Sequence, residues 1–460
     1  MARCVCCAAH LKCLNVFSKS TTTSFYTVPR VLVSTAISFD ISNDNALADS
    51  TSPHPIYPRV VLKKGKANLF REGNPVVYGG AVDRVIGRPP PQTGDVVMVT
   101  DGTEKAIGWG MFNSVSMYRV RLMQMEDEIR RDASSSFNME RLIESRILAA
   151  MKLRQDLLRL PSSETDVYRL VNSEGDRLSG LIVDVFGGHA VVVSSAAWVE
   201  RYQSKVERAI KHATGISCIT WRPSVEILKE EGLQMEIPKT SGLMEFIQVV
   251  ENGVKFMVSF EGQKTGFYAD QRENRLLLRS CSKDKSVLDL CCYTGGFALN
   301  AAVGGATSIT GIDSSSPALE LAQMNIELNN LDTKRINFQK ADITEYMRSA
   351  VADGTTWDIV VLDPPKLAPT RKVLQRAAAK YRALNSLAMR LIKPGGLFMT
   401  CSCSGAVTQS GAFLSILKEA ASSSKRRITQ LRYAGAGADH PLDPAFPEGA
   451  YLTNVMLRVM

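Results

Sequence analysis

The segment Val287-Leu288-Asp289-Leu290-Cys291-Cys292-Tyr293-Thr294-Gly295-Gly296-Phe297 decides the fold of this chain. Its first four residues are a short apolar run of strand type, and Tyr293–Phe297 is the turn after it. Phe297–Val303 begins a helix, which Gly304-Gly305 ends. Ile309–Ile312 is the next strand, closing on Asp313. Strand, glycine-rich turn, helix, strand and acid make a nucleotide-type βαβ unit. The glycines let the backbone approach a ligand where a Cβ would clash. Asp313 lies 24 positions after Asp289, at a strand's carboxyl end, where a carboxylate can accept both hydroxyls of a ribose.

The turn lacks G-x-G-x-x-G, so the close pyrophosphate cradle of a dinucleotide fold is missing. A D-x-x-x-Y-T-G-G-F turn suits S-adenosylmethionine better, since that ligand has no phosphate and needs room for an amino acid and a sulfonium. Farther on, Ser316 reads as a helix N-cap with Pro317 at the first helical position, followed by Leu319, Ala322 and Ile326 at helical spacing. A strand is expected around Ile336–Gln339. Asp342 after it reads either as an acid for the adenine amino group or as an ordinary helix cap. Asp358–Leu362 is a buried strand running into Asp363-Pro364-Pro365-Lys366. Proline fixes φ, so this turn holds its carboxylate and carbonyls ready at the mouth of the sheet, as in methyltransferases that act on planar bases. Lys393-Pro394-Gly395-Gly396 feeds the strand Leu397–Thr400, which ends in Cys401-Ser402-Cys403-Ser404-Gly405. From these residues alone, the two thiols read equally as nucleophile or as well-packed buried cysteines.

The rest of the chain frames this unit. With 460 residues, 45% hydrophobic and 22% charged, it is expected to fold as several soluble-type domains. No apolar stretch approaches the ~20 residues of a bilayer span, so no membrane partner is expected. A net charge of +9 favours an anionic partner, RNA above all. Ten cysteines are too few for a disulfide scaffold. Cys4 and Cys7 have CxxC spacing, but no second pair completes a metal site. Residues 1–57 read as an organellar transit peptide and linker, with the plastid favoured. Four basic residues (Arg3, Lys12, Lys19, Arg30) precede the first acid, Asp40, and Ser18–Ser24 is rich in hydroxyls. Residues 58–123 carry short β-type runs between Gly and Pro turns, and ten Lys/Arg against five acids. They read as a small basic β-barrel. A helix over 137–160 lies in a connector (124–164), a small α+β domain follows (165–250), and 251–460 is the catalytic domain of alternating strands and helices.

Several motifs together resemble one family. Gly262-Gln263-Lys264-Thr265-Gly266-Phe267-Tyr268-Ala269-Asp270-Gln271-Arg272 resembles its G-H-K-T-G-x-Y-x-D-Q-R signature. Tyr293–Phe297, Asp363–Lys366, Ser402–Gly405, Ala438-Asp439-His440-Pro441 and Pro447-Glu448-Gly449-x-Tyr451-Leu452 follow in the family's order. The chain is similar to the class I methyltransferases of the bacterial RlmI type, which make 5-methylcytosine in large-subunit ribosomal RNA. The likeness covers about 58–460. It departs at the leader and at Gln263, where the family commonly has His. The resemblance implies a Rossmann-like α/β methyltransferase domain behind a PUA-like RNA-binding barrel and a small central α+β domain. It implies S-adenosylmethionine as methyl donor, no metal, and ribosomal RNA as partner; the oligomeric state stays open, a homodimer being one option. Cofactor contacts are expected from Phe267, Asp270, Arg272, Asp289, Tyr293, Thr294, Gly295, Gly296, Phe297, Asp313, Ser314, Asp342 and Asp363. The family's nucleophile, carried over by register from the Gly-Gly turn, is Cys403, seven residues past Gly396. A literal T-C-S reading at Thr400-Cys401-Ser402 would choose Cys401 instead. Asp363 is expected to support the pyrimidine at N3, and Lys366 to favour the thiolate. Three other readings compete: a related guanine-N7 methyltransferase, which needs no thiol; a non-catalytic RNA-binding or ribosome-assembly factor; and a small-molecule or protein methyltransferase, against which the basic front domain argues.

Overall fold

The alternation that begins at residue 286 folds into a seven-stranded sheet with helices on both faces. The computed structural model describes residues 57–131, 138–235, 246–259, 266–368 and 371–460. The expected leader and linker (apart from Tyr57), the CxxC pair at 4–7 and Gln263 lie outside the described residues.

Residues 59–125 form a curled six-stranded sheet: β1 (Arg59–Leu62), β2 (Val76–Tyr78), β3 (Val82–Ile86), β4 (Val96–Thr100), β5 (Ala106–Phe112) and β6 (Tyr118–Met125). Their order is β2-β6-β5-β4-β1-β3, around a core of Val60, Leu62, Phe70, Val97 and Val120. Part of the basic excess is spent on the fold. Arg59, Arg71 and Arg84 are ion-paired with neighbouring acids, and buried Arg121 reaches across to Ser179 (2.7 Å) and Glu231 (3.0 Å).

The helix expected over 137–160 is regular over Met139–Lys152 and then widens into one π-turn, Leu153–Leu157. That turn aims Arg154 inward, where it is fully buried and pairs with Asp176 at 2.6 and 2.8 Å. The central sheet comprises β7 (Val167–Asn172), β8 (Leu181–Phe186), β9 (His189–Ser194) and β10 (Cys218–Pro223), in the order β10-β9-β8-β7. The helical stretch of this domain is broken at Tyr202 into Ala197–Arg201 and Gln203–Thr214. A hairpin follows, β11 (Phe246–Glu251) and β12 (Val254–Ser259), turning on Asn252 and Gly253, both at positive φ. The expected boundary after residue 250 falls inside β11. Glu251 at the strand's end holds Arg275 in a bidentate pair of 2.6 Å bonds, and Val249, Val254 and Phe256 pack into the catalytic core. The hairpin therefore belongs with the catalytic domain.

That domain contains β13 (Ser286–Leu290), β14 (Ser308–Asp313), β15 (Ile336–Lys340), β16 (Trp357–Leu362), β17 (Ile392–Ser402), β18 (Ile428–Ala434) and β19 (Thr453–Val459). The order is β15-β14-β13-β16-β17-β19-β18, with β19 antiparallel to both neighbours and the other pairs parallel. Chain order reverses on either side of β13, so the crevice opens beyond the carboxyl ends of β13 and β16. The pleat sends alternate residues to opposite faces. Leu288, Leu290, Val360 and Leu362 meet the layer of helices Leu374–Arg390 and Phe413–Ser423. Val287, Ile359 and Val361 meet the layer containing helices Arg272–Cys281 and Gly296–Val303. One cap differs from expectation: Ser315, not Ser316, accepts the amide of Ala318, and the helix runs Ser316–Leu328 with Pro317 second. Asp313 leads straight into this cap, which leaves one residue fewer for the turn.

Central sheet and catalytic domain are joined by a buried polar knot. Asp439 is fully buried and pairs with Arg272 at 2.7 Å. It also accepts the Arg169 amide at 2.8 Å and contacts His440 Nδ1 at 3.0 Å. Gly175 lies so close to this segment that a Cβ there would stand 1.9 Å from the Pro441 carbonyl oxygen. Removing one member of a buried ion pair leaves an uncompensated charge and costs about 3–5 kcal/mol. Asp439→Ala is therefore expected to lower unfolding stability by that amount, read as a fall in the urea midpoint at unchanged m-value.

Candidate functional site

A cavity of about 930 Å³ opens at the carboxyl ends of β13, β14 and β16. Its size is in the ~300–1,000 Å³ range of small-molecule sites. The first wall is the loop after β13. Cys291 and Tyr293 both adopt left-handed backbone (φ 62° and 49°), followed by Gly295 at φ 83°. Non-glycine residues in that region cost of order 1–2 kcal/mol each, so other contacts must hold them. The Tyr293 amide donates to Asp313 Oδ2 at 2.9 Å, and the Cys292 amide to the Ile312 carbonyl at 3.1 Å. Asp313 Oδ1 accepts the Ser315 amide at 2.9 Å, so this carboxylate is locked in one orientation at the cavity.

The expected cofactor residues divide in two. Phe267, Asp270, Tyr293, Thr294, Gly296, Phe297, Asp313, Ser314, Asp342 and Asp363 all line the cavity. Asp289, Gly295 and Arg272 do not. Asp289 shares its face with Val287, so it points under the helix Gly296–Val303 and accepts the Ala298 amide at 3.0 Å. Gly295 is buried, and a Cβ there would run into Phe338, Leu299 and Ala322. Arg272 is committed to Asp439. Asp342 is a helix cap, accepting the amides of Thr344 and Glu345 through Oδ1 alone, and it also borders the cavity.

The thiols are separated by depth. Cys401 and Cys403 stand two residues apart on one side of β17 and its extension, about 6–7 Å along the chain. Cys401 is fully buried; its sulfur accepts from Asn454 Nδ2 (3.1 Å) and Gln271 Nε2 (3.3 Å), and burial pushes its pKa well up. Cys403 lines the cavity, with Sγ 3.7 Å from Asp363 Oδ1. Gln271 also donates to Asp363 Oδ2 at 3.1 Å, while its own oxygen accepts from Asn274 at 2.6 Å. The Asp363–Lys366 turn is pinned to the strand beside it. Ser404 Oγ accepts the amides of Leu367 (3.2 Å) and Ala368 (3.0 Å) and contacts the Tyr381 hydroxyl at 3.0 Å. Lys366 is exposed at the cavity rim.

Other residues join the site, among them Tyr451 and Tyr268 of the quoted family motifs, to which the sequence assigned no role. Tyr451 closes one side and donates to Asp270 Oδ2 at 2.7 Å. Tyr268 packs edge-on against Tyr293, with ring centres 5.2 Å apart. Arg169, Ile182, Val193, Arg222 and Ser224 come from the central sheet and the turn that follows it. Their spacing along the chain is unrelated to the catalytic motifs, so only the tertiary fold reveals them. Among the described residues there is no group of three or more His, Cys, Asp or Glu able to hold a metal, and no helix is long and apolar enough to cross a membrane.

Comparison with known proteins agrees with this architecture. Residues 238–441 match the family model of S-adenosylmethionine-dependent methyltransferases, and residues 60–124 match that of PUA-like domains. The chain is 32% identical over 409 residues to ribosomal RNA large subunit methyltransferase I of Klebsiella pneumoniae, spanning 88% of this chain and 99% of the relative. It is 34% identical over 404 residues to the protein of the same name from Shewanella frigidimarina, again covering 99% of the relative. Among solved structures, a SAM-dependent methyltransferase from Streptococcus mutans superimposes with TM-score 0.71 at 18% identity, over 87% of this chain and 99% of the other. A methyltransferase solved with SAH gives the same score at 19% identity.

Burial of Asp289 makes a pH prediction. Desolvation, opposed by the Ala298 bond, pushes its pKa up to about 8 from 3.8. The folded state then holds a proton that the unfolded state releases, so this group's stabilisation is full below about pH 4 and is lost as pH rises through about 8. Asp289→Asn keeps an acceptor for Ala298 and cannot ionise. Its urea stability is expected to fall less between pH 5 and 8, two values spanning about the range of maximal protein stability, than that of the unsubstituted chain.

Proposed function

The chain belongs to the ribosomal RNA large subunit methyltransferase I family of S-adenosylmethionine-dependent methyltransferases, and on that premise we propose that it methylates C5 of a cytosine in large-subunit ribosomal RNA through a covalent adduct on Cys403. The observation that carries this reading is the placement of the two thiols. One is sealed beneath the sheet edge, and the other faces the cavity beside a carboxylate. A guanine-N7 transfer uses a lone pair already present and has no work for such a thiol.

Cytosine C5 is a poor nucleophile. Attack of the Cys403 sulfur on C6 makes the ring an enamine, and C5 becomes carbanion-like. Asp363 Oδ1 is the carboxylate oxygen 3.7 Å from that sulfur, so it takes the thiol proton as the C–S bond forms. The protonated carboxyl then donates to N3, where negative charge develops. Gln271 fixes the other oxygen, so Asp363 meets the ring in one orientation. Bound S-adenosylmethionine supplies the electrophilic methyl group. Its ribose suits the locked carboxylate of Asp313, and its amino-acid end suits the first amides of the helix Gly296–Val303, which has a partial positive charge at that end. Tyr293 and Phe297 offer apolar surface, and Asp342 retains an oxygen for the adenine amino group. Loss of the C5 proton to solvent finally expels Cys403 as a thiolate, which takes back the proton held by Asp363, and aromaticity is restored. If the target base is stacked in a duplex, it must be turned out at a cost of a few kcal/mol. The basic, hydroxyl-rich leader composition supports an organellar setting, with the plastid favoured.

The test is to trap the adduct. An RNA carrying 5-azacytosine at the target is expected to become covalently linked to the chain and, after proteolysis, to map to the peptide bearing Cys403. Cys403→Ala should abolish both trapping and turnover, whereas Cys401→Ala should keep both at reduced stability. Linkage at Cys401, or full turnover by Cys403→Ala with methyl found at guanine N7, would overturn the assignment.

A further inference from the structure

The positive charge of this chain is concentrated in one run. Residues 364–418 hold nine Lys/Arg and no Asp or Glu, so they account for the whole net charge of +9. The other residues balance, with 46 Lys/Arg against 46 Asp/Glu. The run starts just after Asp363 and carries the proline turn, the helix Leu374–Arg390 and β17, with Cys403 just past that strand. Some of its cations are neutralised within the fold: Arg382 pairs with Glu419 at 2.6 Å and Lys393 with Asp358 at 2.9 Å. Lys366, Lys372, Arg376 and Lys380 are exposed, and among the described residues none of these four has an ion pair.

Lys366 and Lys380 border the cavity. The residue after each is tied to one atom: Ser404 Oγ accepts the Leu367 amide at 3.2 Å and contacts the Tyr381 hydroxyl at 3.0 Å. Ser404 follows Cys403, so the anchor that places both lysines adjoins that thiol in the chain. Arg376 lies one helical turn before Lys380, about 6 Å along the axis and on the same face. Lys372 is four residues earlier again, in the short turn Arg371–Val373 that leads into the helix. Lys380 is therefore the cavity end of a stripe that leads away along the helix. The cavity's acids do not cancel it. Asp270 is buried, Asp313 and Asp363 are partly buried, and exposed Asp342 faces Lys380 without an ion pair to it. The other cavity cations, Arg169, Arg222 and Arg275, are withdrawn from the surface and take no part in the stripe. Like charges one turn apart repel, and a bound polyanion relieves that repulsion. A compact anion would meet one or two of these side chains. A nucleic-acid strand carries a charge at every nucleotide, so it follows the stripe along its length and also enters the cavity.

We propose that Lys372, Arg376 and Lys380 form a track for the phosphate backbone of the RNA strand on one side of the target nucleotide, bringing that nucleotide to the cavity that holds Cys403. The proposal rests on the RNA reading above and adds to it the surface along which the strand arrives. The full chain is compared with a neutral triple variant (Lys372→Gln, Arg376→Gln, Lys380→Gln) and a charge-keeping triple (Lys372→Arg, Arg376→Lys, Lys380→Arg). A control double (Arg390→Gln, Lys418→Gln) removes exposed charge from the same run at positions that do not border the cavity. All these side chains are exposed, and Gln, Lys and Arg are comparable helix formers, so the fold is kept. Binding of a fluorescein-labelled oligocytidylate is followed by anisotropy between about 50 and 200 mM salt, and S-adenosylmethionine affinity by calorimetry. The neutral triple is expected to bind the oligonucleotide about a hundredfold more weakly at low salt and to flatten the slope of log affinity against log salt by about 2, at about 0.7 for each lost phosphate contact. The charge-keeping triple and the control double are expected to keep the slope of the full chain, and S-adenosylmethionine affinity to stay unchanged throughout. An unchanged slope in the neutral triple would overturn the proposal. So would a flattening as large per charge in the control double, or a loss of S-adenosylmethionine affinity equal to the loss for RNA in the neutral triple. Because binding does not depend on which atom is methylated, failure of the Cys403 chemistry would leave the track standing. A full chain that does not bind oligocytidylate would sink the RNA reading and the track together.

Discussion

The site depends on the register between two neighbouring parallel strands. Leu362 of β16 lies opposite Thr400 of β17. That alignment sends the next residue of β16, Asp363, and the residues just past Thr400 to the same edge of the sheet. The pleat then sorts them. Thr400 and Ser402 bond to Asn385 and Tyr381 on one helical layer, while Cys401 and Cys403 face the other side. A slip of one residue would exchange these sets and turn both thiols away from Gln271 and Asp363. The apolar alternation of β16 opposes such a slip, because Val360 and Leu362 would trade cores with Ile359 and Val361. The catalytic geometry is thus maintained by burial several residues away from it. Ser404 adds the local lock by tying the proline turn to the end of β17.

Two family motifs near the end of the chain, those holding Asp439 and Tyr451, have a mainly architectural part in this structure. Asp439 binds Arg272 and the backbone of β7, and Arg154 reaches the Asp439 carbonyl at 2.8 Å. The first and last portions of the catalytic domain are thereby fastened to the central sheet. Tyr451 on Asp270 ties the last portion of that domain to its first at the cavity edge. These are buried charges, whose desolvation offsets much of their attraction. Their contribution is the fixed placement of one domain against another, which an apolar contact of equal area would define less sharply.

The catalytic half was legible because its signals are local. Strand length, glycine turns and acids at strand ends follow from backbone geometry within a few residues, and Asp313, Tyr293 and Asp363 accordingly line the cavity. Asp289 was misjudged because the same strand presents two faces, and the sequence near it does not say which one meets a helix. Arg272 was misjudged because its partner, Asp439, lies 167 positions away. The cap at Ser315 in place of Ser316 is the ordinary one-residue ambiguity at a helix start. Register from the Gly-Gly turn names Cys403 over Cys401 within the sequence, whereas the difference in depth between the two thiols is a tertiary quantity. For the central sheet the pattern disclosed strands but could not tell which of them would wall the cavity.

The acids gathered at one edge of the cavity have a mechanistic consequence. An edge bearing Asp313, Asp342 and Asp363 suits a cationic sulfonium ligand and a base that must be held through its ring nitrogen. Lys366 and Lys380 border the same cavity and temper that negative charge, and the central sheet closes the crevice with Ile182 and Val193 while the acids keep their places. The short ion pairs of Arg169 and Arg275 fit that arrangement. They hold structure together, and in the proposed reaction their paired charge leaves Asp363 free to take a proton from Cys403.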